Sequence, residues 1–265
     1  MRHLFISDLH LDATTPGTLA AFSRFLAVTA RGAASLHILG DLFETWIGDD
    51  DPDPARDRVC TELRALSRSG VPLYVMQGNR DFLYGPEFER RSGCVLLPDP
   101  VVVALHGERV LLTHGDLLCT GDHAYQELRT IVRDPAFRRR VLTLPIDARQ
   151  QLALAARAGS KAHIRANSGA SEAGGASGAG GATAAGPSAP ASDIMDVSPA
   201  AVIAAFEATD TRRMIHGHTH RPANHRHAVR GGEAERVVLA AWDDGGEYLE
   251  VSPAGWNRQR VTVTA

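Results

Sequence analysis

Short apolar runs recur along the chain, and each has the same sequel. The stretches 4–6, 36–39, 73–76, 110–113 and 214–215 are brief and rich in Val, Ile and Leu, a pattern that predicts β-strands. Each delivers a polar island at its C-terminal end: Asp8-Leu9-His10, Gly40-Asp41, Gly78-Asn79-Arg80-Asp81, His114-Gly115-Asp116, and His216-Gly217-His218 followed by Thr219-His220. In open α/β sheets ligands bind beyond the carboxyl ends of the strands, so this placement predicts a sheet-edge site. Between the strands lie helical patterns at 19–30, at 55–69 (opened near Asp53-Pro54, closed by Gly70 and Pro72), and at 200–209, where Pro199 takes the first helical position. Further strands are expected at 101–105, 236–242, 248–251 and 260–264. The order predicts an α/β fold of two stacked, mostly mixed sheets flanked by helices.

Two regions depart from that alternation. Residues 123–167 read as amphipathic helices carrying Arg129, Arg133, Arg138, Arg139, Arg140, Arg149, Arg157, Lys161 and Arg165 against only Glu127, Asp134 and Asp147. Residues 168–192 are almost all Gly, Ala, Ser, Thr and Pro, with Glu172 the one charge, too few apolar side chains to offset ordering entropy. The expected division is a core of 1–121 and 193–265, a helical cap insertion of 122–167, and a disordered tether of 168–192.

Composition narrows the class. At 265 residues and 44% hydrophobic content the chain can bury a full core, and a net charge of −3 gives no general pull toward nucleic acid. Cys60, Cys94 and Cys119 have no CxxC spacing, which argues against a disulfide framework or a thiolate zinc site. The N-terminal apolar stretch is too short for a signal-peptide core, and no segment approaches the ~18 to 20 apolar residues of a membrane span. A cytoplasmic location is expected, with any membrane contact made from the surface.

The islands supply two carboxylates (Asp8, Asp41), one amide oxygen (Asn79) and four imidazoles (His10, His114, His218, His220). A mixed N/O set of this kind suits a pair of divalent first-row transition ions better than a Ca²⁺ cage. The order Asp-x-His, Gly-Asp, Gly-Asn, His-Gly-Asp, Gly-His-x-His resembles the calcineurin-like metallophosphoesterases over nearly the whole chain. That resemblance implies the αββα sandwich of those enzymes and two Mn²⁺ ions per chain. Asp8, His10 and His220 would bind the first ion, Asn79, His114 and His218 the second, and Asp41 would bridge them. Asp116 could orient a ligand imidazole or stabilise a turn, and His216 reads as a supporting or packing residue.

One departure from the family pattern narrows the reaction. Where the family has a His after the Asn, this chain has Arg80, which cannot donate a proton at neutral pH and acts as a charged, bidentate partner for phosphate. The bland alternative is an ion pair from Arg80 to Asp81. Without an acid the site favours leaving groups that depart unprotonated, which points to a phosphoanhydride. The runs Phe5 to Leu11, Gly40 to Asp50, Gly78 to Leu83, Thr113 to Asp116, Asp193 to Val197 and Ile215 to Pro222 resemble one branch of the family, the enzymes that cleave UDP-2,3-diacylglucosamine in lipid A biosynthesis. This implies water attack on the α-phosphorus, giving UMP and 2,3-diacylglucosamine 1-phosphate, with Asp41, Arg80 and His114 catalytic. Asn79, Arg80, Asp122, Tyr125, Arg157, Ser160 and His218 would contact substrate, Asn167-Ser168 offering a rival register for Ser160. Arg138, Arg139 and Arg140 beside Phe137 and Leu142 would dock on the anionic cytoplasmic face of the inner membrane. The competing expectations are a broader metal-dependent phosphodiesterase and a non-catalytic scaffold on the same fold.

Overall fold

The structure is a computed structural model that describes residues 1–172, 196–243 and 245–261. It divides into two compact units, Met1–Asp116 with Val202–Ala265, and Leu117–Ala201.

In the first unit the strands are β1 (His3–Ile6), β2 (Ser35–Leu39), β3 (Leu73–Met76), β4 (Val95–Leu97), β5 (Val101–Leu105), β6 (Glu108–Leu112), β7 (Arg213–His216), β8 (Ala223–Val229), β9 (Gly232–Val238), β10 (Glu247–Ser252) and β11 (Gly255–Arg260), of which β4 and β8 were not expected. They make a six-stranded sheet ordered β11-β10-β1-β2-β3-β4 and a five-stranded sheet ordered β5-β6-β7-β9-β8. Both are mixed: β1, β2, β3 and β4 run parallel, as do β6, β7 and β9, while β10, β11, β5 and β8 pair antiparallel. The parallel registers Ile6↔Ile38 and Leu39↔Met76 bring three ligand-bearing strand ends side by side, and Leu112↔Ile215 does the same in the second sheet. Phe5, Leu39, Met76, Leu249 and Val251 of one sheet meet Leu105, Val110, Leu112, Ile215 and Val237 of the other in one buried cluster, so the sheets stack as expected. Burying each such side chain is worth about 1.5–3 kcal/mol.

Helices α1 (Pro16–Arg24), α2 (Pro54–Arg68) and α3 (Pro86–Ser92) belong to this unit. Asp53 caps α2 through Ala55 N and Arg56 N, Pro54 opens it, and Val59, Cys60, Leu63 and Leu66 form its buried face. The pattern at 19–30 does not continue as one α-helix: after Arg24 the chain makes a π-turn over Phe25–Thr29, closed by Ala30 N to Phe25 O at 2.9 Å. That wider turn accompanies the full burial of Phe25 edge-on to Trp242. Two strand expectations also shift. The 236–242 run is β9 at Gly232–Val238, because the chain then turns to place Trp242 N on Asp8 O. The strand expected at 260–264 lies instead at Gly255–Arg260, as β11, and shares only Arg260 with that range; residues 262–264 lie outside those described.

The second unit carries α4 (His123–Arg133), α5 (Pro135–Leu142) and α6 (Ile146–Glu172), and the helix α7 (Pro199–Thr209) begins at its end. Asp122 caps α4 and Asp134 caps α5. Neither helix buries a residue fully, and Leu128, Ile131, Leu152 and Leu154 are exposed. Residues 168–172, expected in the tether, continue α6, consistent with the helix preference of the Ala-rich run before them. The remainder of the tether and Asp193-Ile194-Met195 lie outside the described residues. No helix among the described residues is long and apolar enough to cross a membrane.

Candidate metal centre

Backbone conformation assembles the islands. Asp8 (φ 54°), His10 (49°), Asp41 (51°), His218 (68°) and His220 (54°) all lie in the left-handed region, which non-glycine residues rarely occupy but Asp and His tolerate better than most. Such conformations persist where the surroundings over-determine them, and they cluster at functional sites. Here Leu9 N and His10 N both donate to Asp41 O, at 2.9 and 3.0 Å, and Asp8 N donates to Gly40 O at 3.1 Å. The first two strand ends are thereby tied together. Two glycines permit the closest approaches: a Cβ on Gly78 would stand 2.0 Å from Asp41 Oδ1, and one on Gly217 would stand 2.2 Å from Asp8 Oδ2.

The side chains converge as two overlapping groups, Asp8 with His10 and His220, and Asp8 with Asp41 and His114; within each group the candidate ligand atoms lie within 4.8 Å of one another. Asp8 Oδ2 accepts from His218 N at 2.8 Å, while His220 Nε2 is 3.5 Å from Asp8 Oδ1. Asp41 Oδ2 stands 3.9 Å from both His10 Nε2 and His114 Nε2, a position between the two histidines. Asn79 Oδ1 is 3.0 Å from His114 Nε2 and 3.1 Å from His218 Nδ1. All seven expected ligands are therefore gathered in one unit.

The donor set fits cations. His114 Nδ1 donates to Leu39 O at 2.9 Å, which leaves Nε2 as the nitrogen that faces the site, 3.0 Å from Asn79 Oδ1. His10 Nε2 and His220 Nε2 face each other at 3.4 Å, a separation that one N–H···N hydrogen bond or a shared cation would join. Asp8 Oδ1 is buried without a hydrogen bond. Burial pushes the Asp41 carboxyl up despite His114 and His10 beside it. At Asp8 burial also pushes up, but the His220 contact and the charges of His114 and His10 hold the carboxyl well below the usual range. Burial pulls the His114 imidazole down, yet Asp41, Asp116 and Asp8 outweigh it and raise it to about 9. Buried carboxylates are collecting positive charge from neighbouring histidines, a role that divalent ions would fill.

The other expected residues divide clearly. Arg80 donates its peptide N–H to Asp41 Oδ1 at 2.8 Å, and its buried Nε makes no hydrogen bond. No ion pair joins its guanidinium to Asp81, so the bland alternative is not realised among the described residues. Asp116 is fully buried and acts on His114 and His218 through its charge, as a supporting carboxylate. His216 is not among the converging atoms: its Nδ1 contacts Gly217 O at 2.8 Å and its Nε2 contacts Arg236 at 3.0 Å. In the second unit Asp122 uses Oδ1 to cap α4 through Tyr125 N at 3.0 Å; Arg157 and Ser160 lie on α6. Sequence reasoning missed two carboxylates. Glu44 lies 3.0 Å from His10 Nδ1, off the line of a good hydrogen bond but close enough to raise that imidazole's pKa against burial. Asp81 is a hydrogen-bond hub, described below. The first sits three residues past Asp41 and the second directly after Arg80, a proximity that was the only available signal.

The calcineurin-like phosphoesterase family model matches residues 1–222. A protein of Stenotrophomonas maltophilia named UDP-2,3-diacylglucosamine hydrolase is 46% identical over 257 residues, 97% of each chain. Proteins of the same name from Salmonella arizonae and Salmonella typhi are each 46% identical over 253 residues, 96% of each chain.

Proposed function

The chain belongs to the calcineurin-like phosphoesterase family, and on that footing we propose that it hydrolyses the pyrophosphate bond of UDP-2,3-diacylglucosamine. Water would attack the α-phosphorus, releasing UMP and 2,3-diacylglucosamine 1-phosphate in lipid A biosynthesis. The observation that carries the reading is the convergence of seven N/O ligands from five strand ends, in a chain 46% identical to enzymes named for that substrate.

Asp8, His10 and His220 would hold one ion and Asn79, His114 and His218 another, with Asp41 between them. The mixed carboxylate, amide and imidazole set suits Mn²⁺. When bound, the two ions polarise phosphoryl oxygens and lower the pKa of water toward neutrality. The chain's own residues do the rest. Asp41 is held by the Arg80 peptide N–H and faces His10 and His114, so it is fixed between both ligand groups. His114 is oriented by its Nδ1–H on Leu39 O, which directs Nε2 inward. Arg80 carries a permanent charge, and its Nε makes no hydrogen bond among the described residues, so its guanidinium would serve a phosphate oxygen. Since a guanidinium gives up no proton, the sugar phosphate leaves as the anion, stabilised by charge alone.

Asp122 would touch the glucosamine, and Tyr125, Arg157 and Ser160 would face the substrate head group. Arg138, Arg139 and Arg140, with exposed Leu128, Ile131 and Leu142 on the same unit, would hold the protein to the anionic cytoplasmic face of the inner membrane, at about 1 kcal/mol per basic residue.

The test is UMP release from detergent-dispersed UDP-2,3-diacylglucosamine in Mn²⁺, beside hydrolysis of bis(p-nitrophenyl) phosphate. Turnover of the lipid far above the simple diester is expected. Comparable rates on the two would replace this reading with a general phosphodiesterase, and no hydrolysis of either would leave a scaffold.

A further inference from the structure

We propose that Asp81, supported by Tyr84, is a positioning residue that sets the ion affinity of the Asn79, His114 and His218 group; this rests on the reading of those residues as ligands. Asp81 is fully buried two positions after Asn79, and its oxygens are not among the converging ligand atoms. Its Oδ1 accepts from Gly78 N at 2.8 Å. Its Oδ2 accepts from Leu42 N at 2.8 Å, Phe43 N at 3.4 Å and Tyr84 Oη at 2.5 Å. One carboxylate thus spans the two loops that carry Asp41 and Asn79.

The bracing is reciprocal. Asp81 of the Asn79 loop holds the backbone just after Asp41, while the Asp41 carboxylate accepts from Arg80 N of the Asn79 loop at 2.8 Å. Left-handed Asp41 and the close approach of Gly78 to its carboxylate are therefore fixed from both sides. Asp81 makes no hydrogen bond to the segments bearing Asp8, His10, His218 and His220. Its influence falls on Asn79 and the bridging Asp41, and only indirectly on the other group.

Tyr84 makes the hub rigid. Its buried ring stacks on Phe88 at 4.1 Å between centroids and packs on Trp46 at 5.1 Å, so the hydroxyl is held against Asp81. Three of the four donors to Asp81 converge on Oδ2, and the Gly78 N–H meets Oδ1.

The experiment is Mn²⁺ titration of the full-length wild type, Asp81→Asn and Tyr84→Phe, read by a competing chelating indicator and by electron paramagnetic resonance of the bound ion. In Asp81→Asn, an amide NH₂ opposes backbone donors. The wild type should take up two ions, and Asp81→Asn should weaken one class about 10- to 100-fold and the other, which it reaches only through the shared Asp41, by clearly less. Tyr84→Phe should weaken the more affected class by less. Loss of both classes by one factor, or unchanged affinities in Asp81→Asn, would overturn the positioning role. Should Asp81→Asn fail to fold, unchanged affinities in Tyr84→Phe overturn it instead. A wild type that binds no ion removes the ligand reading itself, an outcome distinct from failure of the variants alone.

Discussion

Two buried histidines in the first unit have opposite chemistry. His37, in β2, is stacked between Phe5 at 4.7 Å and Tyr74 at 4.8 Å, and its Nε2 meets Ser35 Oγ at 2.9 Å, which in turn meets His3 Nδ1 at 2.7 Å. Burial, helped by the His3 charge, lowers its pKa to about 3, so it remains neutral. His114 is at least as buried, yet the carboxylates of Asp41, Asp116 and Asp8 lift it to about 9. Burial is common to both, and the carboxylates decide the sign. Among aromatics a histidine is a neutral packing group; among aspartates at the strand ends it belongs to a pocket that needs positive charge.

The sharpest way to break this comparison is to remove the carboxylate between the two histidine groups. Asp41→Ala should abolish measurable lipid turnover and lower bound metal below two equivalents, exceeding the about 10- to 100-fold penalty typical when only a supporting partner is lost. Metal analysis after desalting, together with UMP release, checks it. A variant that keeps two ions would show that Asp41 merely neighbours the site.

Crowding gives the next largest effect. Gly78→Ala would place its Cβ 2.0 Å from Asp41 Oδ1 and 2.4 Å from Asp41 N, and backbone cannot swing aside. Overpacking of this kind costs about 1–3 kcal/mol. The denaturation midpoint should fall and metal uptake should fall with it. If stability drops while both ions still bind, the loops can separate without disturbing the ligands, and their mutual bracing matters less than the contacts suggest.

Much of this arrangement was legible in the sequence, for a physical reason. Strands buried on both faces read as continuous apolar runs, so β1, β2, β3 and β6 were foreseen to within a residue or two; the edge strand β5 is mostly half-buried, and its Val-rich run was foreseen over its full range. The ligands were legible because each follows such a run. What was not legible lacks an apolar signature. The edge strand β8 alternates between half-buried and exposed positions, with Asn224, His225, Arg226 and His227 on both faces, and β11 is similarly polar. The short α3 and the three-residue β4 offer too few positions for a period to emerge. Left-handed backbone at the ligands, and the role of Asp81, arise only when separate loops meet. Sequence shows Asp81 beside Arg80, whereas its donors include residues about forty positions away, at Leu42 and Phe43.

The neutral histidine can be tested through pH. Because the folded pKa of His37 is lowered from 6.5 to about 3, its stability contribution is full above about 6.5 and is lost as pH falls, when unfolding takes up a proton. Over that window one such group contributes a slope of about 1.4 kcal/mol per pH unit. His37→Phe keeps the ring between Phe5 and Tyr74 and removes the titration. Denaturation curves between pH 6.5 and 4 should therefore be flatter for the variant by up to that slope. An unchanged slope would mean that water reaches His37 and charges it in place.

The smallest effect concerns a glycine far from any such crowding. Gly159 sits inside α6, and a Cβ there would meet nothing within 4 Å, in contrast to Gly78. Alanine should therefore raise helix stability by about 1 kcal/mol or less, through propensity and a more restricted unfolded chain. Circular dichroism during denaturation would show a higher midpoint, where Gly78→Ala shows a lower one. The same one-carbon change thus takes opposite signs according to whether a carboxylate occupies the space. Were Gly159→Ala to destabilise the chain, α6 would be packed more closely at that face than its open surroundings indicate.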